Sequence, residues 1–276
     1  TGDGSGYQVA KTQPMKLAAM EGYYEGREGA GLVAVGLLNP DKEKYNDGKD
    51  PFIFRVEIPQ MLSLLAKREL NAFVPGVKDI IEGGYVQKDG TVALSAAEKI
   101  ERGKKAIAAL ASYRSAKKEG NTATADSAYV TLQENMAYFG YGYIKDVHHL
   151  VPNVPITFYA FRIMVMLGFY FILFFAVVLF LVYKDKLAEM KWMHWIALLT
   201  IPLGYIAAEA GWVVAECGRQ PWAIQDLLPT SASVSRVSVG SVQLTFYIFL
   251  VLFTVMLIAE VGIMLREIKK GPELNK

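Results

Sequence analysis

The chain has 276 residues, 53% of them apolar, and 29 basic against 27 acidic side chains for a net charge of +2. Its single cysteine, Cys217, excludes an internal disulfide and a cysteine-held metal cluster. The charge balance alone says nothing about nucleic acid, but no basic aromatic patch interrupts the chain, and no nucleic-acid partner is expected.

Polarity is divided unevenly. Residues 1–150 carry most of the charge, and residues 156–266 hold three long apolar stretches. The polar half opens on "TGDGSGY", which reads as the middle of a longer chain, so a fragment is expected. "QPMKLAAMEG" follows, with Lys16 and Glu21 in a helix start or a buried turn. Five residues apart on a helix, they point in different directions and do not make an i,i+4 pair. From the residues alone they read as two solvated charges. "GLVAVGLL" and "PFIFRVEIP" predict two strands, the second with Phe52, Phe54, Val56 and Ile58 alternating. "SAAE" at 95–98 is a capping box opening a helix to about Lys118, with Gly120 as its stop. A second helix, with Tyr129, Leu132, Met136 and Phe139 on one face, is expected to end at Gly140 and to form a hairpin with the first. His148 and His149 are adjacent, point apart on a regular element and read as surface residues. No repeat, phosphate loop or nucleophile–base triad is present.

The apolar half predicts spans at about 156–183, 192–214 and 242–265, each long enough to cross a bilayer core as a helix. Each holds one charge: Arg162, Glu209 and Glu260 respectively. The fold class expected is therefore an α-helical integral membrane protein. Three transmembrane helices, part of a larger bundle, follow a mostly helical α+β loop domain. The boundary is placed between residues 1–154 and 155–276. Seven Lys and Arg residues lie in the first connection and the tail (Lys184, Lys186, Lys191, Arg266, Lys269, Lys270, Lys276). Only Arg219 and Arg236 lie in the second connection. That bias puts the C-terminus in the cytoplasm and residues 1–154 outside.

Charged groups inside spans are costly and read as functional by default. Glu209, Trp212 and Glu216 fall three and four apart on one stripe of the second span. Two readings stand for them: interhelical pairing, or a ligand or proton-relay site. "FRIMVMLG" places Arg162 and Met164 near the outer end of the first span. A membrane methionine is ordinarily packing, although a thioether can be an axial haem ligand, and an arginine beside it can pair with propionates.

These segments, in this order and at these intervals, resemble the C-terminal part of subunit I of the cytochrome bd-type quinol oxidases. "GWVVAECGRQPWAI" is similar to the family's segment around a haem-ligating glutamate, and "FRIMV" to its methionine-ligand segment. "GDGSGY" followed by "QPMKLAAMEG" resembles the start of its outer quinol-binding loop. The resemblance implies a quinol:oxygen oxidoreductase of the bacterial cytoplasmic (inner) membrane. It implies that Met164 ligates a low-spin haem b, that Glu216 ligates a high-spin haem b, and that Arg162 lies beside the former. Haem d, or a haem b in its place, would complete the cofactors. Lys16 and Glu21 would act in quinol oxidation. Trp212 and Arg219 would lie near the haem pair, and Glu209 is a candidate relay. The implied partners are a missing N-terminal half of subunit I, subunit II, quinol, oxygen and the lipid bilayer. The competing class is a non-enzymatic three-span anchor presenting an outer binding domain.

Overall fold

The computed structural model of the protein describes residues 2–87 and 89–271. It forms two compact units, residues 1–233 and residues 234–276.

The first unit opens with α1 (Gly2–Thr12) and α2 (Pro14–Glu21). Pro14 sits in the first turn of α2, where its missing N–H has no intrahelical partner to lose. Gly22 ends α2 in the left-handed region at φ +61°. A Cβ there would lie 2.9 Å from the Phe52 ring and 3.3 Å from Phe158, so the end of α2 is pressed onto both rings. A two-residue strand β1 (Arg27–Glu28) pairs with β4 (Phe73–Val74). Between them, β2 (Leu32–Leu38) and β3 (Phe52–Ile58) form the expected antiparallel hairpin. The alternation differs from expectation. A register shift between Leu37 and Leu38 turns Phe52 into a core with Val33, Leu38 and Phe158, while Phe54, Val56 and Ile58 stay exposed. Two short helices, α3 (Met61–Lys67) and α4 (Val77–Glu82), complete this part.

The helical hairpin is present as α5 (Ala96–Glu119) and α6 (Thr122–Asn135), with the Ser95–Glu98 capping box at its start and Gly120 at φ +75° as the stop. Two details depart from expectation. Ala125 and Ala128 are the buried positions of α6, whereas Tyr129 and Met136 are exposed. Gly140 does not end the element, because the chain runs on as a 3-10 helix over Met136–Tyr143. The glycines serve close approach instead. A Cβ on Gly103 of α5 would meet Gly142 N at 2.3 Å, and one on Gly140 would meet Asp226 O at 2.5 Å.

Three helices among the described residues are long and apolar enough to cross a membrane. The first, α7 (Val154–Tyr183), starts slightly before the expected span because the Asn153 side chain accepts from Ile156 N–H and caps it. The second, α8 (Lys191–Cys217), runs three residues beyond the expected span, which brings Glu216 into its last turn. A small hairpin, β5 (Trp222–Ile224) and β6 (Leu228–Pro229), follows. Helices α7 and α8 pack along a seam in which Met164 lies against Gly211 and Tyr170 and Thr200 share a 2.6 Å hydroxyl hydrogen bond, and Met193, Thr200, Ala210 and Val214 are the buried residues of α8. Bridging hydroxyls of this kind satisfy polar groups that lipid cannot.

The second unit is one long helix, α9 (Val239–Lys270), capped by Ser238 and bearing Lys269 and Lys270 in its last turn.

Candidate functional site

The site is built where α2, the N-terminal end of α7 and the C-terminal end of α8 converge. Gly218, the residue after α8, makes the convergence possible. A Cβ on it would lie 3.0 Å from Lys16 Cγ and 3.2 Å from Thr157 Cγ2, so α2 and α7 both reach its backbone.

Glu21 corrects the reading of two solvated charges. It is 2% exposed, and its Oε2 accepts from Arg162 Nη2 at 2.7 Å. Arg162 Nη1 also donates to the Met20 carbonyl at 3.2 Å, and the guanidinium lies over the Phe158 and Phe161 rings. Burial pushes the Glu21 carboxyl up, against the opposing pull of Arg162 and the Val33 backbone N–H. The helix–Gly22 turn explains why so costly a group is buried: it presents the last residue of α2 to the third turn of α7, where an arginine awaits it. A buried pair of this kind is held by its geometry, and loss of one partner strands the other.

Lys16 points elsewhere, as its five-residue separation from Glu21 requires. It is half-buried, and its Nζ donates to the Ala215 carbonyl at 3.4 Å. A cation is favourable there, because the last carbonyls of a helix lack intrahelical donors. Burial lowers the Lys16 pKa, Arg219 lowers it further, and Glu216 opposes both. Glu216 itself accepts from Arg219 Nη2 at 2.6 Å one turn away, and both side chains are partly exposed.

Met164 is half-buried in the seam between α7 and α8. Its Sδ would lie 3.1 Å from a Cβ built on Gly211, so the absent side chain gives the thioether its room. Trp212, one residue on, is 63% exposed, and Glu209 is exposed as well. The stripe Glu209–Trp212–Glu216 therefore lies on the side of α8 turned away from Gly211, which faces Met164 of α7. The expected residues thus form two groups in contact, Glu21 with Arg162 and Lys16 with the Glu216–Arg219 end of α8, while Met164 stands in the seam. Arg162 Nε and Arg219 Nε are buried and have no hydrogen-bond partner among the described residues. His148 and His149 are exposed, and no cluster of three His, Cys, Asp or Glu suited to a metal ion occurs among the described residues.

Spacing gives no hint of three further contacts. The Leu38 N–H donates to Tyr159 OH at 3.0 Å, tying the β2–β3 hairpin to α7. The Tyr141 OH donates to Asp226 Oδ1 at 2.7 Å, and the Tyr141 and Trp222 rings meet edge to face at 4.9 Å. All three join residues distant in the chain, and no local pattern reports such pairs. A cleft of about 570 Å³ is lined by Gly22, the residue after Glu21, and by Tyr23, Tyr24, Arg27 and Lys42.

Comparison with known proteins places these residues in a wider setting. Residues 1–272 match the family model for cytochrome bd terminal oxidase subunit I. The chain is 32% identical over 273 residues to cytochrome bd-II ubiquinol oxidase subunit 1 of Escherichia coli (strain K12), covering 98% of this chain and 51% of that one. It is 28% identical over 267 residues to cytochrome bd ubiquinol oxidase subunit 1 of Bacillus subtilis (strain 168), covering 96% and 43%. The bd oxidase structure from Geobacillus thermodenitrificans is similar at a TM-score of 0.58 and 25% identity, covering 98% of this chain and 45% of that one. The chain spans about half the length of the curated relatives it matches.

Proposed function

The chain belongs to the cytochrome bd terminal oxidase subunit I family, and from that premise we propose that it supplies the quinol-oxidising loop and two haem ligands of a respiratory quinol:oxygen oxidoreductase. The observation that carries this reading is the buried Glu21–Arg162 pair, which joins the loop to α7 two residues from Met164.

The donor set suits haem. Met164 offers a soft thioether in an apolar seam and would hold the iron of a low-spin haem b. Glu216 offers a half-exposed carboxylate on the α8 face turned away from α7, and would hold the iron of a high-spin haem b. The unpartnered Nε atoms of Arg162 and Arg219 suit anionic propionates. Trp212 and Arg219 would flank that haem pair, which haem d or a further haem b completes. When bound, these groups supply the iron that accepts electrons from quinol and reduces oxygen.

The chain's own residues handle the quinol and its protons. A head group would enter by the cleft that Gly22, the residue after Glu21, helps to line. Glu21, its carboxyl raised by burial, would take a proton from a quinol hydroxyl, and Arg162 would hold it in place through Oε2. Lys16 would donate a hydrogen bond to a quinol oxygen from the C-terminal end of α8. Glu209, exposed on the stripe, would serve as a relay. Residues 1–154 would face the outside of a bacterial cytoplasmic membrane and the C-terminus the cytoplasm, so quinol protons leave on the outer side. Subunit II and the remaining half of subunit I are the proposed partners.

The test uses the assembled oxidase carrying Lys16→Met or Glu21→Gln. Quinol-driven oxygen consumption should fall at least about tenfold, as for loss of a positioned proton acceptor or donor. Haem spectra should persist, as should oxygen consumption from an artificial donor that bypasses the loop. Loss of haem from both variants would make these residues structural and sink the reading.

A further inference from the structure

The segment that follows α8 is fastened to the loop domain at Asp226 and Trp222, outside the residues that would handle the quinol or hold a haem iron. Asp226 sits in the turn of the β5–β6 hairpin with φ +59°, a left-handed conformation that aspartate tolerates better than most side chains. Three contacts hold it there. Its Oδ1 accepts from Tyr141 OH at 2.7 Å and from Gln225 Nε2 at 3.1 Å, and its carbonyl accepts from Gly140 N–H at 3.2 Å. The Gly140 contact needs a glycine, because any Cβ would collide with the Asp226 carbonyl.

The same hairpin leads back to the site. Trp222 N–H donates to the Arg219 carbonyl at 3.0 Å, so the hairpin begins hydrogen-bonded to the residue that pairs with Glu216. The Trp222 side chain is buried in a core with Ile81, Ile100, Ile144 and Leu150, and Met15 packs against that core. Met15 immediately precedes Lys16. Tyr141 meets the Trp222 ring edge to face and bonds Asp226 with its hydroxyl, so it grips the hairpin at its first strand and at its turn.

We propose that Tyr141 and Asp226 form a latch that positions the Glu216–Arg219 end of α8 against Lys16, acting through Trp222 and the β5–β6 hairpin. Both are positioning residues and touch neither Glu216 nor Lys16 in any contact described above. Burial and the neighbouring Asp226 carboxylate push the Tyr141 phenol up, so the hydroxyl stays protonated as the donor the latch requires. The assignment of roles to Lys16 and Glu216 rests on the proposed function, whereas the latch itself is a statement about where Lys16 sits.

The test therefore reads Lys16 directly. Acylation of Lys16 by a water-soluble amine reagent, quantified by mass spectrometry, is measured in the assembled oxidase in native membranes. Tyr141→Phe removes the hydroxyl and keeps the ring on Trp222, and Asp226→Ala removes the acceptor. Each should raise the acylation rate about tenfold, as expected for loss of a hydrogen bond to a charged acceptor. The double variant should be no worse than either single one, since both break one contact. Asp226→Asn keeps an oxygen acceptor and should restore most of the protection, which a general loss of folding would not do. Unchanged Lys16 acylation in both Tyr141→Phe and Asp226→Ala overturns the latch, as does an Asn variant no better than Ala. Lys16→Met with normal quinol turnover would instead overturn the proposed function and leave the latch standing on its acylation result.

Discussion

Replacing Arg162 by methionine keeps an unbranched side chain on α7 and removes only the guanidinium. Glu21, 2% exposed, then loses its Nη2 donor at 2.7 Å. Breaking a buried pair by removing one partner costs about 3–5 kcal/mol, because the remaining charge is stranded. At 1.36 kcal/mol per decade, this lowers the docked fraction of the loop relative to the undocked by about two to three and a half orders of magnitude. Glu21→Leu should do comparable damage by stranding Arg162. The double variant Arg162→Met/Glu21→Leu should recover most of the loss, since two apolar groups can fill the site without a buried charge. Limited trypsin digestion of the assembled oxidase reads the effect, because residues 1–150 are rich in Lys and Arg and cleavage follows the open population. Both single variants should be cut much faster than the parent and the double variant only slightly faster. Single variants digested at the parental rate, with no coupling in the cycle, would refute the idea that this pair docks the loop.

Met164→Leu keeps volume and apolarity, so packing should change by less than about 1.5 kcal/mol, yet the low-spin haem spectrum should shift toward high spin; an unaltered spectrum would reduce Met164 to packing. Glu216→Ala should disturb the high-spin haem b and abolish oxygen reduction, Glu216→Gln should keep some haem with little turnover, and Glu209→Gln should slow only proton-coupled steps; a normal haem complement in Glu216→Ala would end the ligand assignment. Lys16 has a folded-state pKa below 10.5, so its charged form is disfavoured in the docked loop and docking should tighten as pH rises from that lowered pKa toward 10.5. Arg219→Leu removes one of the lowering influences and should move the midpoint of Lys16 acylation upward; a midpoint unmoved or lowered would contradict the described geometry. Single cysteines at Lys105 and Lys269, in a Cys217→Ser background, should label from opposite sides of intact cells, and labelling at Lys269 from outside would overturn the orientation.

The sequence by itself determined the parts set by local chemistry. Apolar runs longer than a bilayer is thick had to become helices, because a backbone in lipid must satisfy its own hydrogen bonds. The Ser95 box and Gly120 stop are legible for the same reason, since capping is decided within a few residues. The segments around Met164 and Glu216 carried the family resemblance for a similar reason: each is contiguous in the chain and can be read without knowing what it packs against. Only the tertiary structure decided which charges are buried and against what. Nothing local distinguishes Glu21 from a solvated glutamate, because its partner Arg162 lies 141 residues away. Glycine showed the same limit. Gly140 carries the composition of a helix stop, but it is required by the close approach of a hairpin 86 residues later, with Tyr141 bonded to Asp226 beside it. A short-range pattern records the conformations a residue permits, and the folded chain selects among them through contacts whose partners are remote in sequence.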